Sequence, residues 1–285
     1  MMAKYEIADI LIEFKPYYED YLETFAPFRY DGERGAKYII QTFVSDHLDA
    51  PTGEPSYTNQ DRIVHTDFLG VTTYKKNENG EVMIKTYQSN DLQQSYLYLK
   101  KGDSASNAER EYIFTGMFFM KIALKEQRLG LHGSAIAKNG EAVIFSAPSR
   151  TGKSTHRHLW EKLFSIETIN DDKPLLMLKD NQAWVCPSPW SGKSRLTGTS
   201  AYPLKTIVFL AQGKKNRIET LDTKKSLTHL MRNCYRPDEP VLWDPLFKIL
   251  NHLTNHIPMY YYACTMKDKA ALTLHSYLFG GHDEN

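Results

Sequence analysis

The chain has 285 residues, 41% apolar and 24% charged, enough for one large or two modest soluble domains with a substantial core. Its 35 basic and 34 acidic side chains leave a formal charge of +1, which argues against a nucleic-acid binder held by a dominant phosphate field. Cys186, Cys234 and Cys264 lack CxxC spacing and read as free thiols, no membrane span is expected, and Glu6, Asp9 and Glu13 interrupt any leader-like apolar run, so the expectation is a cytoplasmic protein.

In chain order, Lys4 to Phe14, Ala36 to Val44 and Arg62 to Phe68 read as strands from their branched and aromatic content. Val71 to Tyr74 and Val82 to Tyr87 flank Asn77-Glu78-Asn79-Gly80, where the Asn-Gly step marks a hairpin. Ser95 to Leu99 alternates Tyr96 and Tyr98 with Leu97 and Leu99. Residues 1–105 therefore read as a smaller, mostly antiparallel β module, expected to recognise an acceptor or partner. Ser106 and Glu109 have capping-box spacing and predict a helix running towards Gly130, too rich in apolar groups for a single stripe and so buried on most sides.

Residues 106–285 read as an α/β domain. Leu131 to Ala137 and Glu141 to Ser146 form two strands around Lys138-Asn139-Gly140, and a helix with Leu159, Trp160, Leu163 and Phe164 follows. A strand ends near Asp171, a hairpin turns through Lys179 to Gln182, and a Pro/Gly/Ser loop, Ser188 to Gly198, leads into the strand Leu204 to Leu210. The tail predicts helices over Lys224 to Cys234, Val241 to His256 and Lys267 to Tyr277, with a strand over Met259 to Cys264. His252 and His256 lie one turn apart, but the glutamate and third ligand of a zinc helix are missing.

The strongest motif is Ala147-Pro148-Ser149-Arg150-Thr151-Gly152-Lys153-Ser154, followed by Thr155, which matches G-x-x-x-x-G-K-[ST] except at its first position. In such a loop, backbone N–H groups and a helix N-terminus cradle phosphate. Gly152 permits close approach, Lys153 bridges the β- and γ-phosphates, and the Ser154 hydroxyl binds Mg²⁺. Ala147 and Pro148 depart from the pattern at the loop's start, away from the donors near Lys153. Arg150 either touches a phosphate or faces water. Asp171-Asp172, 18 residues beyond Lys153, supplies carboxylates suited to holding Mg²⁺ and to taking a proton from a hydroxyl. Neighbours in extended chain face opposite ways, so the two acids are expected to differ in role. Lys193 and Arg195, on the Ser188 to Gly198 loop, either close over phosphates or stand in solvent.

His132-Gly133-Ser134, then Ser149 to Thr155, then Asn170-Asp171-Asp172 resembles the catalytic domain of HPr kinase/phosphorylase, a relative of ATP-dependent phosphoenolpyruvate carboxykinase. A hairpin feeding the loop, in place of a βαβ unit, is part of that likeness, which spans about residues 130–210. The resemblance implies an α/β P-loop domain with a mixed sheet, binding ATP and Mg²⁺ through Lys153 and Ser154. It also implies Asp171 as general base on a serine-type hydroxyl, Asp172 as metal partner, and His132 beside the transferred phosphoryl. The chain is similar to the small divergent proteins of this type, some of which phosphorylate free serine or a serine in a modified-peptide precursor. The reading is a serine-type kinase acting on a small molecule, peptide or protein, with no nucleic-acid or membrane partner and possible self-association. A carboxykinase-like or pyrophosphate-using phosphotransferase, and a nucleotide-binding regulator without turnover, stay open beside it.

Overall fold

The computed structural model describes residues 3–148 and 151–280. It is a mixed α/β structure that divides into two compact units at residues 122/123.

The first unit holds an eight-stranded sheet. Its strands are β1 (Ala3–Ile7), β2 (Ile10–Lys15), β3 (Tyr38–Ser45), β4 (Tyr57–Thr58), β5 (Arg62–Thr66), β6 (Gly70–Lys76), β7 (Val82–Ser89) and β8 (Gln94–Lys100). The stretch expected as one strand from Lys4 is a hairpin, because Ala8 and Asp9 both adopt positive φ (50° and 64°) and reverse the chain in two residues. The antiparallel expectation holds for β4 to β8 and for β1 with β2. β3, however, enters between β2 and β8 and runs parallel to both. Tyr38, Ile40, Leu97 and Leu99 are buried, as are Tyr5, Phe14, Tyr21 and Phe25, where Tyr5 meets Phe14 and Phe25 edge-on and Phe14 stacks on Phe25.

Helix α1 (Ser104–Lys125) starts earlier than its Ser106 signal because the Asp103 carboxylate accepts from the Ser106 N–H at 2.8 Å. It stops short of Gly130, since Gln127 takes φ 60° and releases the chain into a strand. The buried Glu111 accepts from the backbone N–H groups of Tyr17 (2.7 Å) and Tyr18 (2.9 Å), and burial, outweighing those bonds, pushes its carboxyl above the ordinary range.

The second unit is built on a nine-stranded mixed sheet. In chain order its elements are β9 (Arg128–Gly130), β10 (Gly133–Lys138), β11 (Glu141–Ser146), α2 (Lys153–Leu163), β12 (Glu167–Asn170), β13 (Leu175–Lys179), β14 (Gln182–Cys186), β15 (Tyr202–Gln212), β16 (Arg217–Thr220), α3 (Thr223–Asn233), α4 (Trp243–His256), β17 (Met259–Cys264) and α5 (Asp268–Phe279). The β10–β11 hairpin turns through Asn139 (φ 52°) and Gly140 (φ 78°), as its Asn-Gly step predicts. β11 then pairs in parallel with β15, and β15 with β17, so the carboxyl ends of these strands open together.

That order positions the loop after β11. Ile136, Val143, Phe145, Val208 and Tyr262 present an apolar sheet face, and Trp160 of α2 with Ala270, Ala271 and Leu274 of α5 covers it. The Tyr262 hydroxyl satisfies itself on the Ala270 carbonyl at 2.8 Å. No described helix is long and apolar enough to cross a membrane.

Candidate functional site

β11 ends at Ser146, whose hydroxyl donates to the His132 carbonyl at 2.8 Å and ties the loop's entry to the strand beside it. Ala147 follows, buried and outside the residues with positive φ, so this loop starts without the glycine its pattern calls for. Gly152 is where glycine is needed. Its φ is 104°, and Met266 lies so close above it that an added Cβ would stand 2.3 Å from the methionine methyl carbon. α2 then starts after Gly152 with no side-chain cap, and its first N–H groups are of the kind that receive an anion.

Lys153 is buried, and its ammonium donates to the Ala147 carbonyl (2.8 Å), the Pro148 carbonyl (3.4 Å) and His132 Nε2 (2.9 Å). Because an ammonium only donates, Nε2 accepts and the ring proton sits on Nδ1, which faces Asp172 Oδ1 at 3.1 Å. Burial lowers the proton affinity of Lys153, while Asp172 and Asp171 pull it back up. At Asp172 burial pushes the other way, but the His132 bond, Lys173 and Lys153 outweigh it and hold the carboxyl below its ordinary value. A chain of acid, imidazole and ammonium results, with the acid charged.

Asp171 has a different environment. Its Oδ1 accepts from the Ser134 hydroxyl (2.8 Å) and from Arg157 Nε (2.9 Å), and Arg157, 1% exposed, continues to Glu161. The turn carrying both acids is fixed by Asn170, whose Oδ1 accepts from the N–H groups of Asp172 (2.9 Å) and Lys173 (2.7 Å). Its amide in turn donates to the carbonyl of the buried Ser188 at 2.9 Å.

These groups line a cleft of about 320 Å³ that includes His132, Lys153, Ser154, Asp171, Asp172 and Lys193. Arg195 and Thr155 are not part of this lining, and both side chains are exposed. Thr151 opens instead onto a neighbouring cleft of about 700 Å³. The expectations for Ser149 and Arg150 fall outside the described residues. His252 and His256 stack on each other at 4.4 Å, and no cluster of three metal-binding side chains occurs among the described residues. The oxygens of Ser154 and Asp172 suit a small hard cation, which takes one or two protein oxygens and fills its shell with phosphate and water.

Ser134 enters the sequence reading only inside the His132-Gly133-Ser134 motif, with no role, and Arg157 does not enter it. Arg157 lies four residues beyond Lys153 on the same helix face, and Ser134 lies two beyond His132 along an extended strand. Gly192 is a third such residue. It has φ 72°, and a Cβ there would meet Asp172 Cβ at 2.8 Å, so the turn Gly192–Ser194 packs directly on the acid. Gly192→Ala is expected to cost roughly 1–2 kcal/mol from backbone strain alone, read as a lower unfolding midpoint. An unchanged midpoint would show that the turn has room to lift away.

A family model described as SynChlorMet cassette protein ScmC matches residues 111–270. Among curated proteins none matches. Among solved structures, the HPr(Ser) kinase/phosphatase from Coxiella burnetii aligns at 15% identity over 54% of this chain and 95% of that one, with a TM-score of 0.30.

Proposed function

The chain belongs to the SynChlorMet cassette protein ScmC family, and from the site it carries we propose that it is a Mg²⁺- and ATP-dependent kinase that phosphorylates a hydroxyl, that of a serine in a small molecule, peptide or protein. The observation that carries this reading is the meeting, in one cleft, of Lys153 and Ser154 at a helix start with two carboxylates in different environments.

The roles follow from those environments. The charged Asp172, held by His132, is the metal partner together with Ser154, and the cation's part is to neutralise the phosphate oxygens. Lys153 exchanges its two carbonyl contacts for phosphate oxygens, gaining charge-assisted bonds in place of neutral ones. Asp171 is the base. Among the described residues both hydrogen bonds to Asp171 fall on Oδ1, and Oδ2 takes the acceptor proton as the new O–P bond forms and the bond to the leaving ADP breaks. Lys193, on the turn resting against Asp172, stands at the cleft wall where it can meet the charge spreading over the transferred group.

The test is ADP release and phosphoserine formation by the full chain with ATP, Mg²⁺ and a panel of free serine, serine peptides and serine-bearing proteins. Transfer that stops on chelation and returns with Mg²⁺ is the expected result. Binding of ATP with no transfer to any member of the panel would favour a nucleotide-binding regulator instead.

A further inference from the structure

The larger cleft beside the loop has no part in the chemistry above. We propose that it holds the nucleoside of the phosphoryl donor, with a purine base stacked on an aromatic wall built by β15, α3 and β17. The inference rests on the kinase reading and assigns the half of the donor which that reading leaves without a place.

Three observations support it. First, among the described residues the two clefts share one lining residue, His132, and take different parts of the loop. The larger takes Ser146, Ala147, Pro148 and Thr151 from its start, and the smaller takes Lys153 and Ser154 from its end. In-line transfer sets the leaving group opposite the acceptor across phosphorus. With the acceptor hydroxyl against Asp171, the departing nucleoside diphosphate is directed out of the carboxylate cleft, and the aromatic cleft opens on the same loop.

Second, the lining has the chemistry of a planar, anion-bearing ligand. Phe209 and His229 stack with centroids 4.8 Å apart at 25°, and Tyr261 tilts against His229 at 5.7 Å. Burial and the neighbouring Arg232 both disfavour the charged form of His229, which keeps its ring a neutral stacking surface. The described lining contains no carboxylate, whereas the smaller cleft contains two. Arg232 is its added cation.

Third, Gln212 stands exposed at the rim, carrying on one amide the donor and acceptor that match the N7 and N6 edge of adenine. The volume of about 700 Å³ also lies in the ordinary range of small-molecule sites.

His229 is the residue to change, because it is half-buried on α3 and lies outside the loop and the acid pair. Wild type, His229→Ala and His229→Phe are titrated calorimetrically with ATP and with inorganic tripolyphosphate, each with Mg²⁺. Wild type is expected to prefer ATP. His229→Ala should weaken ATP by roughly ten-fold, the loss of one stacking partner, and leave tripolyphosphate unchanged. His229→Phe should restore ATP. Equal loss of both ligands, or an unaltered ATP affinity in His229→Ala, overturns the inference and leaves the kinase reading standing. Wild type binding ATP no better than tripolyphosphate removes the nucleoside site alone, and wild type binding neither removes both readings.

Discussion

Lys153→Ala is expected to lower phosphoryl transfer by roughly 10²–10³-fold, the cost of deleting one preorganised donor aimed at developing charge, and to weaken ATP binding with it. The fold should be spared. Lys153 is buried with its charged form already disfavoured by desolvation, so alanine removes an ammonium that the folded state holds at some expense. Arginine is not expected to rescue, because a planar fork cannot replace a compact ammonium that meets Ala147, Pro148 and His132 together. Asp171→Asn provides the contrast. It removes the proton acceptor and should reduce transfer by about 10²–10⁴-fold while ATP affinity changes little. Steady-state kinetics beside calorimetry separates the two variants. If Asp171→Asn turns over normally, the base lies elsewhere and the assignment fails.

The second large effect is on stability. Arg157 and Asp171 have side chains 1% and 4% exposed, bonded at 2.9 Å, and removing the cation leaves a buried carboxylate with only the Ser134 hydroxyl. Arg157→Ala is therefore expected to cost about 3–5 kcal/mol, visible as a large fall in the denaturant midpoint. Arg157→Lys should recover part of this, since an ammonium can reach one of Asp171 and Glu161 but does not bridge both as the guanidinium does. The double change Arg157→Met with Asp171→Leu should regain more stability still, because two buried charges disappear together, yet remain inactive. A wild-type midpoint in Arg157→Ala would mean that water reaches the pair.

How much of this was legible in the sequence depends on how local each signal is. Gly152, Lys153 and Ser154 announce themselves because strand, loop and helix follow one another within a few residues, and Asn139-Gly140 likewise names its own turn. Asp171 and Asp172 are readable by their distance from Lys153. The Ala8-Asp9 reversal was missed because alanine carries no signal for positive φ, and β16 because its four residues hold one apolar group, Ile218. Arg157 was hidden by its type, since arginine on a helix usually means solvent and only the fold shows that Asp171 waits beneath it. The aromatic cleft draws Phe209, His229 and Tyr261 from three elements, and no short window of sequence contains them.

The segment between Trp190 and Gly198 has its ends fastened into the second unit. Trp190 is 2% exposed, Asn170 bridges to Thr197, and the Gly198 N–H donates to the Ile169 carbonyl at 2.9 Å. Between these anchorages Lys193, Ser194, Arg195 and Leu196 are exposed, and Lys193, Ser194 and Leu196 edge the carboxylate cleft. Substitutions at Ser194, Arg195 and Leu196 should therefore cost the fold little, within about 0.5 kcal/mol each, provided the glycine resting on the acid is kept.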